Sequence, residues 1–584
     1  MGSSTNSLCQ PNFKGSERLR FLEVVGRLRA MEEKKESFKE KLWCLVVTCL
    51  LIAFYSMTCA LNHSESYDSL NYALFAENFP LGTSPDTRNI LFHALNRILL
   101  VTSEWLGLNI GALELITSVS IVTGALSVVL FARLMTRRFG VSAFSAWTGA
   151  TFLGLTYGFW RYTAAAEVYI PSIFLILCSL TLIFKFLDEE LENQRTLFAA
   201  SVLSGIAVLF YQPNIIVLFF ATFVLFCSSS RFISFVRYSV VGALVVVGGL
   251  VVSYLAMKGE VPAPSELVSF VTARNGEFRS RPPVHLALIK FVLAFGHDLF
   301  SAHWTRTLDP VRTTLDPHIP GCVYNFNVVV YAAKGIQYLT AIAAVLFIPV
   351  AAMFVRIHWI ASRKWKITRP DNRTLFLIGW MGSIGLIVGT IDPGSFEAWI
   401  PVLVPFAGLL TVFVIEPCCQ LGKQRTLIAF LLLVFCYNFF GGIMIWRNSQ
   451  GDYFFHKTAW IRQELTEKDT VLLNEFDYRM VDYLGYYSDA RIVHLTGADQ
   501  VTIDRSHPGI HTLPLDAFLA EHTTEQHRLF VMDDVLFPSP QIKSCRSGEE
   551  KFEAATALAD RLKAHAVLVD SGTFGKTFQI KPAR

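Results

Sequence analysis

Long runs of apolar residues, separated by short polar segments, dominate the chain up to Trp446. Most of these runs, about eleven in all, are close to the roughly 20 residues that a helix needs to cross a membrane. Because every peptide group inside lipid must form its hydrogen bond within its own segment, the pattern predicts transmembrane helices. The predicted spans are 42–61, 112–134, 141–160, 169–187, 196–211, 214–230, 238–257, 335–355, 374–391, 399–415 and 426–446.

Lysine and arginine residues between the predicted spans indicate the orientation. Nine of them lie in residues 1–41, and six lie in 356–373, between the eighth and ninth spans. Because cytoplasmic loops carry the excess of basic residues, both segments are predicted to be cytoplasmic. An odd number of spans then places the C-terminus outside. The first 30 residues are polar and lack the apolar core of a cleavable signal, so 42–61 is predicted to be a retained first span.

Three predicted external segments are long enough to form structures of their own. Residues 62–111 follow the first span, and residues 258–334 precede the eighth. Within them, 90–107 and 286–303 are apolar but interrupted by charges, which predicts helices that lie in the membrane interface. The third segment, 447–584, holds 16 basic and 20 acidic residues and is predicted to be a soluble domain.

The predicted soluble domain alternates between strand-like and helix-like patterns. Its strands are expected to be short and apolar, with amphipathic helical stretches between them. The predicted strands are 470–473, 491–495, 528–532 and 566–569, and the predicted helices are 477–487, 515–522 and 549–565. Such alternation predicts an α/β domain in which helices cover a parallel sheet.

Composition supports a membrane protein and excludes a soluble cytosolic enzyme, a disordered chain and a nucleic-acid binder. Hydrophobic residues make up 52% of the 584 residues, and charged residues only 17%, against roughly 25% in an ordinary soluble domain. The net charge of +4 is too small to indicate a nucleic-acid partner. Cys322 and Cys545 both lie in predicted external segments, so they are either a disulfide pair or two free thiols.

Acidic residues at the predicted external ends of the spans are the first candidates for chemistry. Glu65 and Asp68 follow the first span, Glu167 follows the third, and Asp392 and Glu397 lie in the short turn between the ninth and tenth. A carboxylate in such a position can take a proton from a hydroxyl or bind a divalent cation. The alternatives are a solvated acid after the first span and ordinary caps in the turn.

Three short motifs carry a resemblance to a known family. Asp68 is followed four residues later by Tyr72 and then by an alanine, with His93 in the amphipathic segment beyond. Residues 159–169 read Phe-Trp-Arg-Tyr-Thr-Ala-Ala-Ala-Glu-Val-Tyr, and 392–401 read Asp-Pro-Gly-Ser-Phe-Glu-Ala-Trp-Ile-Pro. In these motifs the chain resembles the GT-C superfamily of membrane glycosyltransferases, which includes protein-mannosyltransferase-like and aminoarabinose-transferase-like members. Within that superfamily it most resembles little-characterised bacterial members. The two prolines that often accompany the histidine of such enzymes are missing here.

The resemblance implies an all-α polytopic membrane protein with about 11 transmembrane helices, a cytoplasmic N-terminus and a C-terminal external soluble α/β domain, in a bacterial inner membrane. It implies transfer of a sugar from a polyprenyl-phosphate-linked donor to an acceptor hydroxyl of a glycan, lipid or protein, on the external face of the membrane. Asp68 is then the expected general base, with Glu65 and Glu167 as further site acids. The residues expected to bind substrate are Tyr72, His93, Arg88, Arg97, Arg161, Asp392 and Glu397.

Arginine residues are the expected partners of the donor phosphate, because a guanidinium group can bind two phosphate oxygens at once. The candidates nearest to the acids are Arg88, Arg97 and Arg161. Simple anchoring at the level of the lipid head groups is the alternative for each. Candidates in the long loop are Arg274, Arg279 and Arg281. No His/Cys group has the spacing of a zinc site, and a divalent cation is possible because some members of the family require one.

Two other classes of function remain open. A transporter or flippase of lipid-linked sugars would also be long and apolar, but it would be expected to show internal repeats and broken helices with charges near mid-membrane. A membrane scaffold would use residues 447–584 to bind a partner. Replacing Asp68 by Asn separates the three, because only a transferase should lose sugar transfer while staying folded.

Overall fold

The computed structural model of the protein describes most of the chain beyond its first 37 residues. The described residues are 38–63, 67–79, 89–188, 193–228, 232–272, 284–301, 336–364, 371–391, 397–449, 452–474, 478–495, 500–503, 512–522, 527–538, 548–572 and 575–581. Residues up to Ala53 form a first unit, of which the described part is helical, and Phe54–Arg584 form the second.

The described part of the chain before residue 447 is helical. Helix α1 consists of residues 38–56. Helices α2 to α16 are Tyr67–Asn78, Ile90–Trp105, Ala112–Arg138, Ala143–Leu155, Tyr157–Thr163, Tyr169–Asp188, Gln194–Phe210, Ile215–Ser228, Phe232–Lys258, Pro264–Thr272, Val284–Leu299, Ile336–Ser362, Asn372–Ile391, Glu397–Gln420 and Gln424–Trp446.

Seven helices of the described chain are long and apolar enough to cross a membrane. They are α4, α7, α10, α13, α14, α15 and α16. The shorter apolar helices Gln194–Phe210 and Gln212–Phe223 coincide with the predicted fifth and sixth spans. The predicted total of eleven spans is therefore not confirmed, and the predicted orientation stays a prediction.

The predicted span 141–160 is not one continuous helix, because the chain forms two helices there, and its crossing of the membrane stays a prediction. α5 ends at Leu155 and α6 begins at Tyr157, with the intervening Thr156 at φ −59° and ψ 140°. This extended residue redirects the chain in the middle of an apolar run. Nothing in the local hydrophobic pattern marks the break, since Leu153 before it and Tyr157 after it are both buried.

Asn438 of α16 stabilises the break from a distant part of the sequence. Its Nδ2 donates to the carbonyl oxygens of Leu155, at 2.7 Å, and Leu299, at 3.0 Å. Its Oδ1 accepts from the backbone N–H of Ser301 at 3.0 Å. Buried polar groups require hydrogen-bond partners. The fully buried Asn438 amide supplies them to backbone groups at the C-terminal ends of both α5 and α12.

The two segments that were expected to lie in the membrane interface are both helical, as α3 and α12. α3 is amphipathic in the structure, since it buries Phe92 and Leu100 while leaving Val101 and Trp105 exposed. Their placement in the interface stays a prediction.

The chain after Trp446 folds into short helices around one sheet. Helices α17 to α22 are Tyr453–Lys457, Ala459–Glu464, Tyr478–Tyr487, Leu515–His522, Asp533–Leu536 and Gly548–Lys563. Strands β1 to β7 are Asp469–Leu473, Arg491–Leu495, Gln500–Ile503, Thr512–Pro514, Arg528–Met532, Ala566–Ser571 and Lys576–Ile580. The sheet has the order β4-β3-β2-β1-β5-β7-β6.

The four predicted strands and three predicted helices of this domain are all present within a few residues of their expected bounds. A fully parallel sheet, however, is wrong. β1 pairs in parallel with β2 and β5, whereas β3, β4, β6 and β7 form antiparallel pairs. The reason is that β7 forms a hairpin with β6 and inserts beside β5, while β3 and β4 extend the other edge. The domain boundary at 446/447 stays a prediction.

The chain after Trp446 packs directly against the segment that follows α1. α19 lies against α2. The backbone N–H of His63 donates to Asp452 Oδ2 at 3.0 Å, and the Tyr483 hydroxyl donates to the same oxygen at 3.5 Å. The segment that follows α1 is therefore fixed by contacts with the chain after Trp446.

Candidate functional site

α2 carries Asp68 and Ser69 at its first turn. A carboxylate is favourable there because the N-terminal end of a helix has a partial positive charge. The helix is fixed by its buried apolar side chains Leu70, Ala73 and Leu74. Asp68 is half-buried, while the neighbouring Ser69 is almost fully buried and points toward the next acid. The Ser69 hydroxyl donates to Glu167 Oε1 at 3.1 Å.

Glu167 lies in the short non-helical segment between α6 and α7. Ser120 of α4 holds its backbone: the hydroxyl donates to the Glu167 carbonyl at 3.1 Å and accepts from the Glu167 N–H at 3.4 Å. Only 3% of Glu167 is exposed. Its Oε2 has no hydrogen-bond partner among the described residues.

The carboxyls of Asp68, Glu167 and Glu397 come together although they lie far apart in the sequence. Burial raises the pKa of Glu167 well above its usual range, and the charges of Asp68 and Glu397 raise it further. The hydrogen bond from Ser69 and the charge of Arg161 oppose this rise. Because like charges repel strongly in a buried site, the neighbouring carboxyls favour the protonated form of Glu167.

We expect the raised pKa of Glu167 to make the folded protein less stable as pH rises. Between the ordinary glutamate value of 4.5 and its raised value, the folded state binds more protons than the unfolded state, so stability falls with pH. Thermal unfolding midpoints of the detergent-solubilised protein, measured from about pH 5 to pH 8, should show this fall. Glu167→Gln should reduce the slope, whereas Glu167→Asp should keep it. An unchanged slope in Glu167→Gln would contradict the assignment.

Glu397 reaches the cluster from the start of α15. It begins a short 3₁₀ turn that ends at the buried Trp399, and the indole of Trp399 packs on Phe291 of α12 with ring centroids 4.7 Å apart. The Tyr169 hydroxyl donates to Glu397 Oε2 at 3.1 Å. Tyr169 also packs edge-on against Tyr162, at 5.3 Å between centroids, so hydroxyl-bearing rings line this side of the acids.

Arg161 of α6 supplies positive charge beside these acids. Its guanidinium stacks on the Trp446 ring at 3.9 Å from the centroid and lies 5.0 Å from the Tyr162 ring. Aromatic faces attract a guanidinium and hold it flat. The planar group is thus oriented beside Glu167, and its charge opposes the pKa rise there. A flat, half-exposed guanidinium in this position suits a phosphate oxygen.

Asp298 is a fourth acid at the site, and the sequence did not reveal it. It lies on α12, is 1% exposed, and its Oδ2 has no hydrogen-bond partner among the described residues. Burial raises the pKa of its carboxyl well above the usual range, Arg161 lowers it and Glu397 raises it. A Cβ at Gly158 would lie 2.9 Å from Asp298 Oδ1, so the glycine permits the close approach. The signal available was the ionisable pair His297-Asp298 inside an apolar stretch.

Tyr72 lies one helical turn after Asp68 on α2, where its ring meets His93 of α3. Their ring centroids lie 5.5 Å apart, and His93 also packs edge-on against Phe75 at 5.1 Å.

Arg97 has a different environment from the one expected of a phosphate ligand. Its Nη1 donates to the carbonyl oxygens of Ala76, at 2.8 Å, and Glu77, at 3.2 Å, so it caps the C-terminal end of α2. Its predicted contact with phosphate stays a prediction.

Several predicted residues lie outside the described part of the chain. They are Glu65, Arg88, Asp392, the loop arginines Arg274, Arg279 and Arg281, and the cysteines Cys322 and Cys545. Within the described ranges, no three His, Cys, Asp or Glu side chains are grouped as metal ligands would be. The described side chains of the site are four carboxyls, one guanidinium and several phenols.

Comparison with known proteins returns solved structures only. No protein-family model and no curated protein sequence matches the chain. The chain is similar to the crystal structure of ArnT from Cupriavidus metallidurans bound to undecaprenyl phosphate, with 14% identity, a TM-score of 0.46 and coverage of 92% of this chain and 98% of that one. The apo structure of the same ArnT gives 15% identity, a TM-score of 0.45 and equal coverage.

Proposed function

We propose that the protein is a membrane glycosyltransferase of the GT-C type, which moves a sugar from a polyprenyl-phosphate-linked donor to an acceptor hydroxyl. The observation that carries this proposal is the grouping of three acids by two hydrogen bonds. Ser69, the neighbour of Asp68, donates to Glu167, and Tyr169, two residues after Glu167, donates to Glu397. A general base, neutral acids and a phosphate ligand are the groups that such a transfer needs. Apolar helices around them fit a donor whose tail is dissolved in lipid.

In the proposed reaction Asp68 takes the proton of the acceptor hydroxyl as its oxygen attacks the anomeric carbon of the donor. The bond between that carbon and the phosphate oxygen breaks, and the polyprenyl phosphate leaves with the electron pair. Attack opposite the leaving group inverts the anomeric carbon. Asp68 is the member of the cluster suited to this role because it is half-exposed, so an acceptor can reach it.

Glu167 and Asp298 have a different role in this proposal. Burial raises the pKa of both carboxyls and so favours their protonated forms, and a protonated carboxyl can donate a hydrogen bond to an oxygen of the donor. Each also has one oxygen without a partner among the described residues. Because neutral acids add no negative charge, they do not repel the phosphate that must bind beside them.

Arg161→Lys is expected to raise the KM for the lipid-linked donor by about tenfold and to change kcat less. Lysine keeps the positive charge but loses the planar fork and the stacking on Trp446. Arg363→Lys is the matched control, because Arg363 also stacks on a tryptophan, Trp359, at 3.9 Å but belongs to the C-terminal end of α13. Steady-state kinetics at varied donor concentration measure both. An unchanged donor KM in Arg161→Lys would remove Arg161 from the proposed phosphate site.

A transporter of lipid-linked sugars is the second candidate, and one observation favours it. The break between α5 and α6 places a discontinuous helix beside buried ionisable groups, a combination found in transporters. Bond cleavage distinguishes the two functions. Proteoliposomes that contain the intact protein and a donor labelled in its sugar should release free polyprenyl phosphate and label the acceptor. Movement of the intact labelled lipid across the bilayer, with no cleavage, would favour transport.

A further inference from the structure

The centre of the sheet in the chain after Trp446 has the topology at which ligands bind in α/β domains. β1 and β5 lie side by side and parallel. The strands that follow β1 in the sequence, β2 to β4, lie on one side of it. The two strands that follow β5, namely β6 and β7, lie on the opposite side of the sheet. The direction in which strands are added therefore reverses between β1 and β5. In open α/β sheets, the crevice outside the carboxyl ends of such a strand pair is the usual ligand site.

Polar side chains gather at this point. Asn474 directly follows β1, and Asp533 and Asp534 directly follow β5. The Lys457 ammonium, with its side chain only 5% exposed, lies 2.7 Å from Asp534 Oδ2 and 3.9 Å from Asp533 Oδ1. The two carboxylates are more open, at 33% for Asp533 and 28% for Asp534. Two acids and one base leave a net negative charge at a place that solvent can reach.

Asn474 adds an acceptor that lacks a donor. It is 2% exposed, and its Nδ2 donates to the backbone carbonyl of Asp534 at 2.9 Å, which fixes its amide at the cluster. Its Oδ1 has no hydrogen-bond partner among the described residues. A buried acceptor without a donor is destabilising, and a bound hydroxyl or amine would satisfy it.

Phe537 adds an exposed aromatic ring one helical turn after Asp533. Phe537 follows α21, and its backbone N–H donates to the Asp533 carbonyl at 2.7 Å. Its side chain is 60% exposed, with the Lys563 ammonium 5.5 Å from the ring centroid. Convergent polar groups next to an exposed ring are typical of a small-molecule site, in which the ring packs on an apolar face and the polar groups fix the orientation.

We propose that Lys457, Asn474, Asp533, Asp534 and Phe537, here called the switch-point cluster, bind a saccharide. Sugar hydroxyls can donate to the carboxylates and to the Asn474 amide oxygen, and the C–H face of a pyranose fits the Phe537 ring. A divalent cation fits less well, because the Lys457 ammonium already occupies Asp534 Oδ2 at 2.7 Å. The cluster is separate from the acids around Asp68 and adds a second sugar site to the molecule.

The switch-point cluster is connected to the start of α2 through one short helix. α17 begins after Asp452, whose Oδ1 accepts from the Phe455 N–H at 3.0 Å, and it ends with Lys457. The other oxygen of Asp452 accepts from His63, five residues before Asp68. We therefore take the saccharide to be part of the acceptor, and in this respect alone the inference rests on the proposed function.

Glycan binding by the intact protein tests the inference. The protein in lipid nanodiscs is applied to an array of immobilised mono- and oligosaccharides, and the affinity for each retained glycan is measured by titration. Asp533→Asn and Phe537→Ala should each weaken binding about tenfold. Asn keeps the oxygen that accepts from the Asp534 N–H, and the exposed Phe537 contributes little to folding. Asp560→Asn and Leu568→Ala, an exposed acid and an exposed apolar residue of the same domain, are matched controls and should bind normally.

Two results would overturn the inference: no glycan is retained, or glycans are retained equally by Asp533→Asn and Phe537→Ala. Asp68→Asn separates this failure from failure of the proposed function. That variant should lose sugar transfer yet keep glycan binding, because its switch-point cluster is intact. Normal transfer in Asp68→Asn together with cluster-dependent binding would remove Asp68 as the general base and leave the saccharide site unaffected. No transfer by the unmodified protein together with cluster-dependent binding would contradict the transferase alone.

Discussion

Replacing Asp68 with Asn is expected to lower the rate of sugar transfer by about 10²–10⁴-fold, the range over which a positioned general base contributes. Asparagine has the same size and shape but cannot take the proton of the acceptor hydroxyl. Its amide also keeps a polar group at the first turn of α2, so folding should be preserved. Transfer is measured in proteoliposomes as labelled acceptor formed per minute, and folding as the thermal unfolding midpoint.

Glu77→Gln is the matched control for this prediction. Glu77 is an acidic residue near the C-terminal end of the same helix. It belongs neither to the group of Asp68, Glu167 and Glu397 nor to the switch-point cluster. We expect nearly normal transfer from it. A transfer rate within twofold of the unmodified protein in Asp68→Asn, with normal folding, would remove Asp68 as the base and with it the proposed mechanism.

Asn438→Leu is expected to have the largest effect on stability, a loss of at least about 3 kcal/mol. Leucine fills the volume of the side chain but leaves three buried backbone groups without partners: the carbonyls of Leu155 and Leu299 and the N–H of Ser301. Each unsatisfied buried group costs about 1–3 kcal/mol. The end of α12, which carries Asp298, would also lose its anchor. Thermal unfolding in detergent measures the first effect and sugar transfer the second.

Asn96→Leu is the matched control for the buried amide. Asn96 of α3 is 1% exposed like Asn438, but neither atom of its amide has a hydrogen-bond partner among the described residues. Exchange for leucine removes an unsatisfied polar group, so stability should stay the same or rise. A similar loss in both variants would mean that packing volume, and not the hydrogen bonds to Leu155, Leu299 and Ser301, explains the effect at position 438.

The sequence was sufficient to predict those elements whose formation depends on neighbouring residues in the chain. The strands Arg491–Leu495 and Arg528–Met532 are short apolar runs between turns, and both were predicted with the bounds that the structure has. α3 was likewise expected from its amphipathic spacing. The candidate acids Asp68, Glu167 and Glu397 were selected by position at the ends of apolar runs, and the structure brings these three together.

Contacts between distant segments explain what the sequence did not reveal. The break at Thr156 depends on an amide from α16, and the antiparallel insertion of β7 depends on pairing with β5 and β6. Asp298 was missed because its partners are assembled only by folding: Gly158 admits it, and Arg161 and Glu397 set its electrostatics. Hydrophobic periodicity reports burial and cannot report which distant side chain satisfies a buried group.

The most direct test of the transferase is mass analysis of lipids and glycans from three matched cell populations: unmodified, lacking this protein, and expressing Asp68→Asn in its place. The account predicts that one sugar disappears from the same acceptor in the second and third populations, and that its polyprenyl-phosphate-linked donor accumulates in both. A complete, normally modified acceptor in the Asp68→Asn cells, with the protein present at its usual level, would contradict it.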